Sequence, residues 1–130
     1  MKSITYLIVA LCLSSCASGI YKEGNVEQLP PAEYLERLSQ TPGALVIDVR
    51  TGMEYRKSHI ENAVNASYLS FAFGKKAEDF PRNQTVFIYC ETAHRSPFAA
   101  KKLHKMGFER IVDLEGGHKA LRRYQNGKSK

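Results

Sequence analysis

Short continuous hydrophobic runs mark the strands of this chain. Residues 44–49 (ALVIDV) and 85–90 (TVFIYC) are almost wholly apolar and are bounded by turn-forming or charged residues. Runs of this length without polar alternation are typical of strands buried on both faces of a parallel sheet. Residues 62–67 (NAVNAS) and 110–114 (RIVDL) predict two further, shorter strands.

Segments with a helical spacing of apolar residues lie between these strands. Pro31 suits the first turn of the first helix. A later helix is predicted to have Ser96 as its N-cap and Pro97 at its first position, and to end before Gly107. The predicted helical segments lie within residues 26–43, 51–60, 68–80 (interrupted at Gly74), 96–108 and 116–125, followed by a frayed tail over 126–130.

Strands that alternate with helices predict an α/β fold, with a central parallel sheet of about five strands and helices on both faces. The length of 130 residues fits a single domain. In such a sheet, sites form at the carboxyl ends of the strands. Cys90 closes a strong strand run, so its thiol is predicted to lie at that edge.

The N-terminal residues have the pattern of an export signal. Lys2 is followed by an apolar run from Ile4 to Leu13 and then by small residues. The run is shorter than the ~20 residues that a membrane-spanning helix needs. "Leu-Ser-Ser-Cys" ending at Cys16 resembles a bacterial lipobox, which implies lipidation of Cys16. Ala17 in place of aspartate then implies the periplasmic side of the outer membrane; plain signal cleavage is the alternative.

Charge and cysteine usage narrow the possible functions. The net charge is +6, but the basic residues are scattered, which favours a solvated surface over nucleic-acid binding. No cysteine or histidine spacing is that of a zinc site. Cys12 leaves with the signal and Cys16 carries lipid. Cys90 is then the remaining thiol in an exported protein, and it is either a buried inert residue or a reactive one.

The segment from Cys90 to Ser96 favours a nucleophile. The amides of the following loop and helix start create a site for an anion, and Arg95 adds a positive charge, so both favour a thiolate at Cys90. Glu91 opposes this unless its side chain points to solvent. A small buried hydrophobic residue remains the other interpretation of Cys90. We call residues 90–95 the Cys90 loop.

Three sequence blocks together resemble the single-domain rhodaneses. They are "LVIDVR" at 45–50 with "HIENAVN" at 59–65, "YCETAHRS" at 89–96, and "MGF" at 106–108 with "LEGG" at 114–117. The resemblance covers about residues 26–124. It implies that Cys90 accepts sulfur as a persulfide, with no metal and no organic cofactor. It also implies that Asp48 and Arg50 support the loop and that these residues bind the substrate: Glu91, Thr92, Ala93, His94, Arg95 and Ser96.

The resemblance further implies the partners: a small anionic sulfur donor such as thiosulfate, and cyanide or a thiol as the acceptor. We expect a monomer that binds no nucleic acid and meets the membrane through its N-terminal lipid. The six residues from Cys90 to Arg95 match the sulfurtransferase length, whereas related phosphatases and arsenate reductases have one residue more. The predicted organisation is a signal peptide (1–15), a lipid-attached tether (16–25), the rhodanese domain (26–124) and a C-terminal tail (125–130).

Several residues depart from the family pattern. Ala93 and Asn62 stand where glycine is usual, and alanine at a left-handed position costs about 1 kcal/mol. Leu121 replaces a usual tryptophan, which we interpret as a packing change. Asp48, Arg50, Glu54 and His59 are interpreted as a structural ion-pair network. A non-enzymatic persulfide carrier, an inactive interaction module, and a phosphatase or arsenate reductase remain alternatives to the sulfurtransferase.

Overall fold

The computed structural model describes residues 25–129, and its centre is a five-stranded parallel sheet. The strands are β1 Val26–Leu29, β2 Leu45–Asp48, β3 Val64–Asn65, β4 Thr85–Tyr89 and β5 Arg110–Leu114, and their order in the sheet is β1-β5-β4-β2-β3. The apolar runs put β2 and β4 side by side, with Ile47 opposite Ile88. The α/β prediction is therefore confirmed.

Five helices within the described residues cover the sheet in two layers: α1 Pro31–Ser39, α2 Gly52–Lys57, α3 Phe73–Glu78, α4 Ser96–Lys105 and α5 Gly117–Lys128. Alternate residues of the strands point to opposite faces, so one face packs against α3 and α4 and the other against α1 and α5. No helix within residues 25–129 has the length and apolarity to span a bilayer.

Strand β1 was not predicted. Its sequence, VEQL, has two adjacent polar residues and lies at the sheet edge. It becomes a strand because it pairs with β5, with Val26 opposite Ile111. Pairing between segments distant in sequence decides its conformation, and local composition does not reveal this.

Two predicted helix limits were wrong. The helix within residues 68–80 is only Phe73–Glu78, and Gly74 lies inside its first turn instead of interrupting it. The last helix reaches Lys128, so it includes residues 126–128 that the sequence places in a frayed tail. Exposed helix ends of this kind carry little hydrophobic signal, and their limits are the least predictable part of an element.

Candidate active site

Cys90 lies one residue beyond β4, at the carboxyl edge of the central strand. Its side chain points to the face covered by α3 and α4, and the residue has 0% of its surface exposed. Both interpretations of this cysteine thus agree with its position, which is buried and also at the site-forming edge. The predicted signal cysteine Cys12 and lipid attachment at Cys16 lie outside the described residues.

Backbone amides without a protein partner follow Cys90. Among the described residues, the N–H groups of residues 91–95 donate to no backbone carbonyl and no side chain. A run of free donors in a loop is the arrangement that binds anions. The loop therefore offers several donors to a negatively charged sulfur or substrate.

Ser96 is not the N-cap that the sequence predicts. Arg95 already has helical angles (φ −93, ψ −37), so α4 begins at Ser96 and no side chain caps it. The buried Ser96 hydroxyl instead lies 3.5 Å from Cys90 Sγ and accepts a hydrogen bond from the thiol. The same hydroxyl is placed to donate to a thiolate.

Ala93, in the middle of the Cys90 loop, has the left-handed backbone conformation expected at a position where the family usually has glycine. Ala93 has φ 62 and Asn62 has φ 61, and these are the described non-glycine residues with positive φ. Thr92 and His94, on either side of Ala93, are exposed, and Thr92 Oγ1 lies 2.7 Å from His94 Nδ1. Both face solvent above the buried thiol.

Arg95 closes the loop through Glu54 of α2. Arg95 Nη1 and Nη2 donate to Glu54 Oε2 and Oε1 at 2.8 and 2.7 Å. Glu54 also accepts hydrogen bonds from the backbone N–H and hydroxyl of Thr51, which caps α2. The hydrogen bonds from Arg95 are the main reason that the pKa of Glu54 falls to about 2. This pair raises the pKa of Arg95 in turn.

Arg50 lies beneath the loop and is fully buried. Its guanidinium donates to both carboxylate oxygens of Asp48 and to the carbonyl of Ser58. It also donates to Glu91 at 3.0 Å, which joins β2 to the residue after Cys90. Burial alone would lower the pKa of Arg50, but the hydrogen bonds and charges of these carboxylates raise it.

Helix α5 contributes residues that the sequence did not suggest. Arg122 binds both carboxylate oxygens of Glu91. His118 Nδ1 accepts from Arg50 at 3.1 Å and from Arg122 at 2.6 Å. Burial, and then the two arginine charges, lower the pKa of His118 to about 4, so its ring is neutral at physiological pH. The only sequence signal for a role of His118 and Arg122 was that both lie in the helix that follows Gly116 and Gly117.

The Glu91 carboxylate therefore does not point freely to solvent. Its desolvation would raise its pKa, but Arg122 and Arg50 outweigh this and lower it. The negative charge beside Cys90 is thus balanced by two guanidinium groups. Glu91 joins the loop to both β2 and α5.

His59 lies outside the predicted ion-pair network. Asp48 with Arg50, and Glu54 with Arg95, form the ion pairs that the sequence suggested. The exposed His59 ring instead stacks on Tyr55 at 3.9 Å, so this part of the prediction was wrong. His59 Nδ1 also lies 2.9 Å from the carbonyl oxygen of Tyr55.

A cavity of about 370 Å³ opens beside the Cys90 loop. A larger one of about 530 Å³ lies between α1 and α5. Neither is lined by Cys90, which agrees with its complete burial. Within residues 25–129 no group of three or more His, Cys, Asp or Glu is arranged to hold a metal ion. The smaller cavity is lined by Arg50, Glu54, Lys57, Ser58, Glu91 and Arg122.

The chain is similar in sequence to several curated proteins. The tRNA sulfurtransferase of Desulfurococcus amylolyticus is 31% identical over 118 residues, which are 87% of this chain. The chain spans only 22–54% of the length of that protein and two further curated relatives. A sulfurtransferase of Allochromatium vinosum is 27% identical over 92 residues, which are 71% of this chain and 84% of that protein.

Solved structures show the same fold. A rhodanese-related protein from Thermoplasma volcanium superimposes with a TM-score of 0.66 at 24% identity, over 75% of this chain and 92% of that one. The model of the family called rhodanese-like domain matches residues 31–123, which include β2 to β5 and the whole Cys90 loop. The chain belongs to the rhodanese-like domain family.

Proposed function

We propose that this protein is a sulfurtransferase that carries sulfane sulfur on Cys90 as a persulfide. The observation that carries the proposal is the position of Cys90, at the start of a loop whose next five amides have no acceptor within residues 25–129. Ser96 adds a hydroxyl 3.5 Å from the sulfur. These donors suit a thiolate, a persulfide or an anionic donor at the same place.

The reaction has two half-reactions. The Cys90 thiolate attacks the outer sulfur of thiosulfate, so that a Cys90 S–S bond forms. The bond between the two thiosulfate sulfurs breaks, and its electron pair leaves with sulfite. Cyanide or a thiolate then attacks the terminal sulfur of the persulfide, takes it as thiocyanate or a new persulfide, and returns Cys90 as thiolate. Ping-pong kinetics follow from this sequence.

Entry of a donor requires the Cys90 loop to move. Cys90 has no exposed surface, and Thr92 and His94 are the loop side chains that face solvent. The net positive charge of the chain favours the approach of an anionic donor. We place the strong ion pair of Arg95 with Glu54 at the fixed end of the loop, and the movement nearer Ala93.

A persulfide carrier is the second candidate, because burial of Cys90 protects a persulfide and slows repeated turnover. A phosphatase or arsenate reductase is a weaker candidate. The six residues from Cys90 to Arg95 are one fewer than in those relatives of the family. A shorter loop encloses a smaller space than a tetrahedral oxyanion requires.

The proposal extends to location. The pattern of Lys2, the apolar run to Leu13 and the lipobox-like Cys16 supports export and lipid attachment at the periplasmic side of the outer membrane. The mature domain then acts as a monomer near the membrane surface. Mass spectrometry of protein extracted from membranes tests this, since cleavage elsewhere and a free Cys16 would contradict it.

The test of function is turnover with thiosulfate and cyanide. Wild-type protein is expected to release thiocyanate and sulfite in equal amounts, and Cys90→Ser is expected to release neither. Persulfide that forms once and is not turned over by cyanide or small thiols would favour the carrier. Hydrolysis of an aryl phosphate without any sulfur transfer would favour the phosphatase and contradict the proposal.

A further inference from the structure

The first turn of α5 holds the start of the Cys90 loop by its backbone. The N–H of His118 donates to the carbonyl of Cys90 at 2.8 Å, and the N–H of Lys119 donates to the carbonyl of Glu91 at 3.0 Å. Amides in the first turn of a helix have no acceptor within the helix. Here they take up two consecutive carbonyls of the loop.

These two hydrogen bonds set the direction of the neighbouring amides. In a planar trans peptide the C=O and N–H groups point in opposite directions. Because the carbonyls of Cys90 and Glu91 point to α5, the N–H groups of Glu91 and Thr92 point away from it. The Cys90 side chain also lies on the face opposite α5, against α3 and α4. The two amides are therefore turned to the side where the sulfur lies.

Gly117 allows this close approach. Its φ is +67, and a Cβ at this position would lie 2.6 Å from the carbonyl oxygens of both Cys90 and Glu91. Such a distance is far below van der Waals contact, and the obstructing atoms belong to the backbone. Any side chain at Gly117 must therefore push the Cys90 loop away from α5.

We propose that Gly117 is a positioning residue of the active site. Because Gly117 has no side chain, α5 can approach the loop and orient the amides of Glu91 and Thr92 toward the Cys90 sulfur. The statement that these amides serve sulfur transfer rests on the proposed function. The orientation itself rests on the two hydrogen bonds and the missing side chain. It predicts that the reactivity of Cys90 depends on the contact between α5 and the loop.

Two of three glycines with similar angles provide a matched experiment. Gly43, Gly116 and Gly117 have φ values of +72, +70 and +67. A Cβ at Gly43 meets nothing within 4 Å, and one at Gly116 meets the Ala120 side chain at 2.7 Å. Gly43→Ala and Gly117→Ala thus add comparable backbone strain, but only Gly117→Ala pushes on the loop. Gly116→Ala is not a control, because its contact with Ala120 would shift the first turn of α5.

Two properties are measured on each folded variant: alkylation of Cys90 by iodoacetamide at pH 7, and kcat and KM with thiosulfate. We expect Gly117→Ala to lower the alkylation rate and kcat by about tenfold or more, because displaced donors stabilise the sulfur anion less well. Gly43→Ala is expected to stay within about twofold of wild type on both, because a Cβ at Gly43 meets nothing within 4 Å.

A second pair of variants covers the case in which Gly117→Ala does not fold. Lys119→Pro deletes the N–H that donates to Glu91, in the first turn where proline is tolerated. Lys119→Ala keeps that N–H and removes only an exposed side chain. The proline variant is expected to lose alkylation rate and turnover, and the alanine variant to keep both.

The outcomes separate this inference from the proposed function. Alkylation of Gly117→Ala that is as fast as in Gly43→Ala, or faster, overturns the positioning role. If no variant and no wild-type protein turns over thiosulfate, the proposed function fails. In that case the alkylation rates still decide whether Gly117 positions the loop.

Discussion

Arg95, the last residue of the Cys90 loop, pairs with both carboxylate oxygens of Glu54 at 2.8 and 2.7 Å. The two residues are 41 positions apart in sequence, and the pair joins the loop to the start of α2. Two parallel N–H···O bonds fix the orientation of a guanidinium more tightly than a single contact does. The structure therefore anchors the loop at its far end through one partly buried ion pair.

Replacing Glu54 with glutamine is expected to loosen the loop. Glutamine keeps the size of the side chain but removes the charge, and turnover with thiosulfate should fall by about tenfold because the loop amides are less well fixed. Steady-state kinetics measures this. Glu27→Gln, which removes the exposed pair with Arg37, is the control. A Glu54→Gln enzyme with unchanged kinetics would show that the pair is dispensable.

The pH dependence of stability should reveal His118. Its pKa is lowered to about 4 in the folded protein, against 6.5 for an unperturbed histidine. The unfolded chain therefore binds a proton between pH 6.5 and 4 that the folded protein does not, so stability falls as the pH falls through this range. Asparagine supplies a neutral acceptor near the position of Nδ1.

In His118→Asn we expect the loss of unfolding free energy between pH 6.5 and 4 to shrink by roughly 2 kcal/mol. Urea unfolding at several pH values measures the difference. His59→Asn, at an exposed position, should keep the wild-type slope. Equal slopes in all three proteins would mean that His118 titrates normally.

Ala93→Gly is expected to stabilise the protein. Alanine at φ 62 is strained, and glycine removes this strain while losing more chain entropy on folding. The net gain should be about 0.5 kcal/mol, seen as a higher midpoint of chemical unfolding. Asn62→Gly, at φ 61, should gain less because asparagine tolerates this region. A destabilised Ala93→Gly would indicate that the Cβ makes a useful contact.

The buried strands were predictable because burial on both faces of the sheet leaves a continuous apolar run in the sequence. The order of the three rhodanese-like sequence blocks could be read directly from the sequence. The position of Cys90 followed from the end of β4, and the left-handed conformation of Ala93 followed from the family pattern. Leu121 is buried, in agreement with its interpretation as a packing residue.

The contacts around Glu91 could not be predicted in the same way. Arg50 lies 41 positions before Glu91, and Arg122 lies 31 positions after it. No periodicity relates these residues, and the charges meet only because β2 and α5 reach the same edge of the sheet. The role of Gly117 was hidden for the same reason, since "Gly-Gly" before a helix also suits an ordinary turn.

Intact mass of the folded protein after incubation with thiosulfate tests the central claim most directly. We predict that wild-type protein gains the mass of one sulfur atom, located on Cys90, and loses it again when cyanide is added. Cys90→Ser should gain nothing. A wild-type protein without any added sulfur, or the same gain in Cys90→Ser, would contradict sulfur transfer through Cys90.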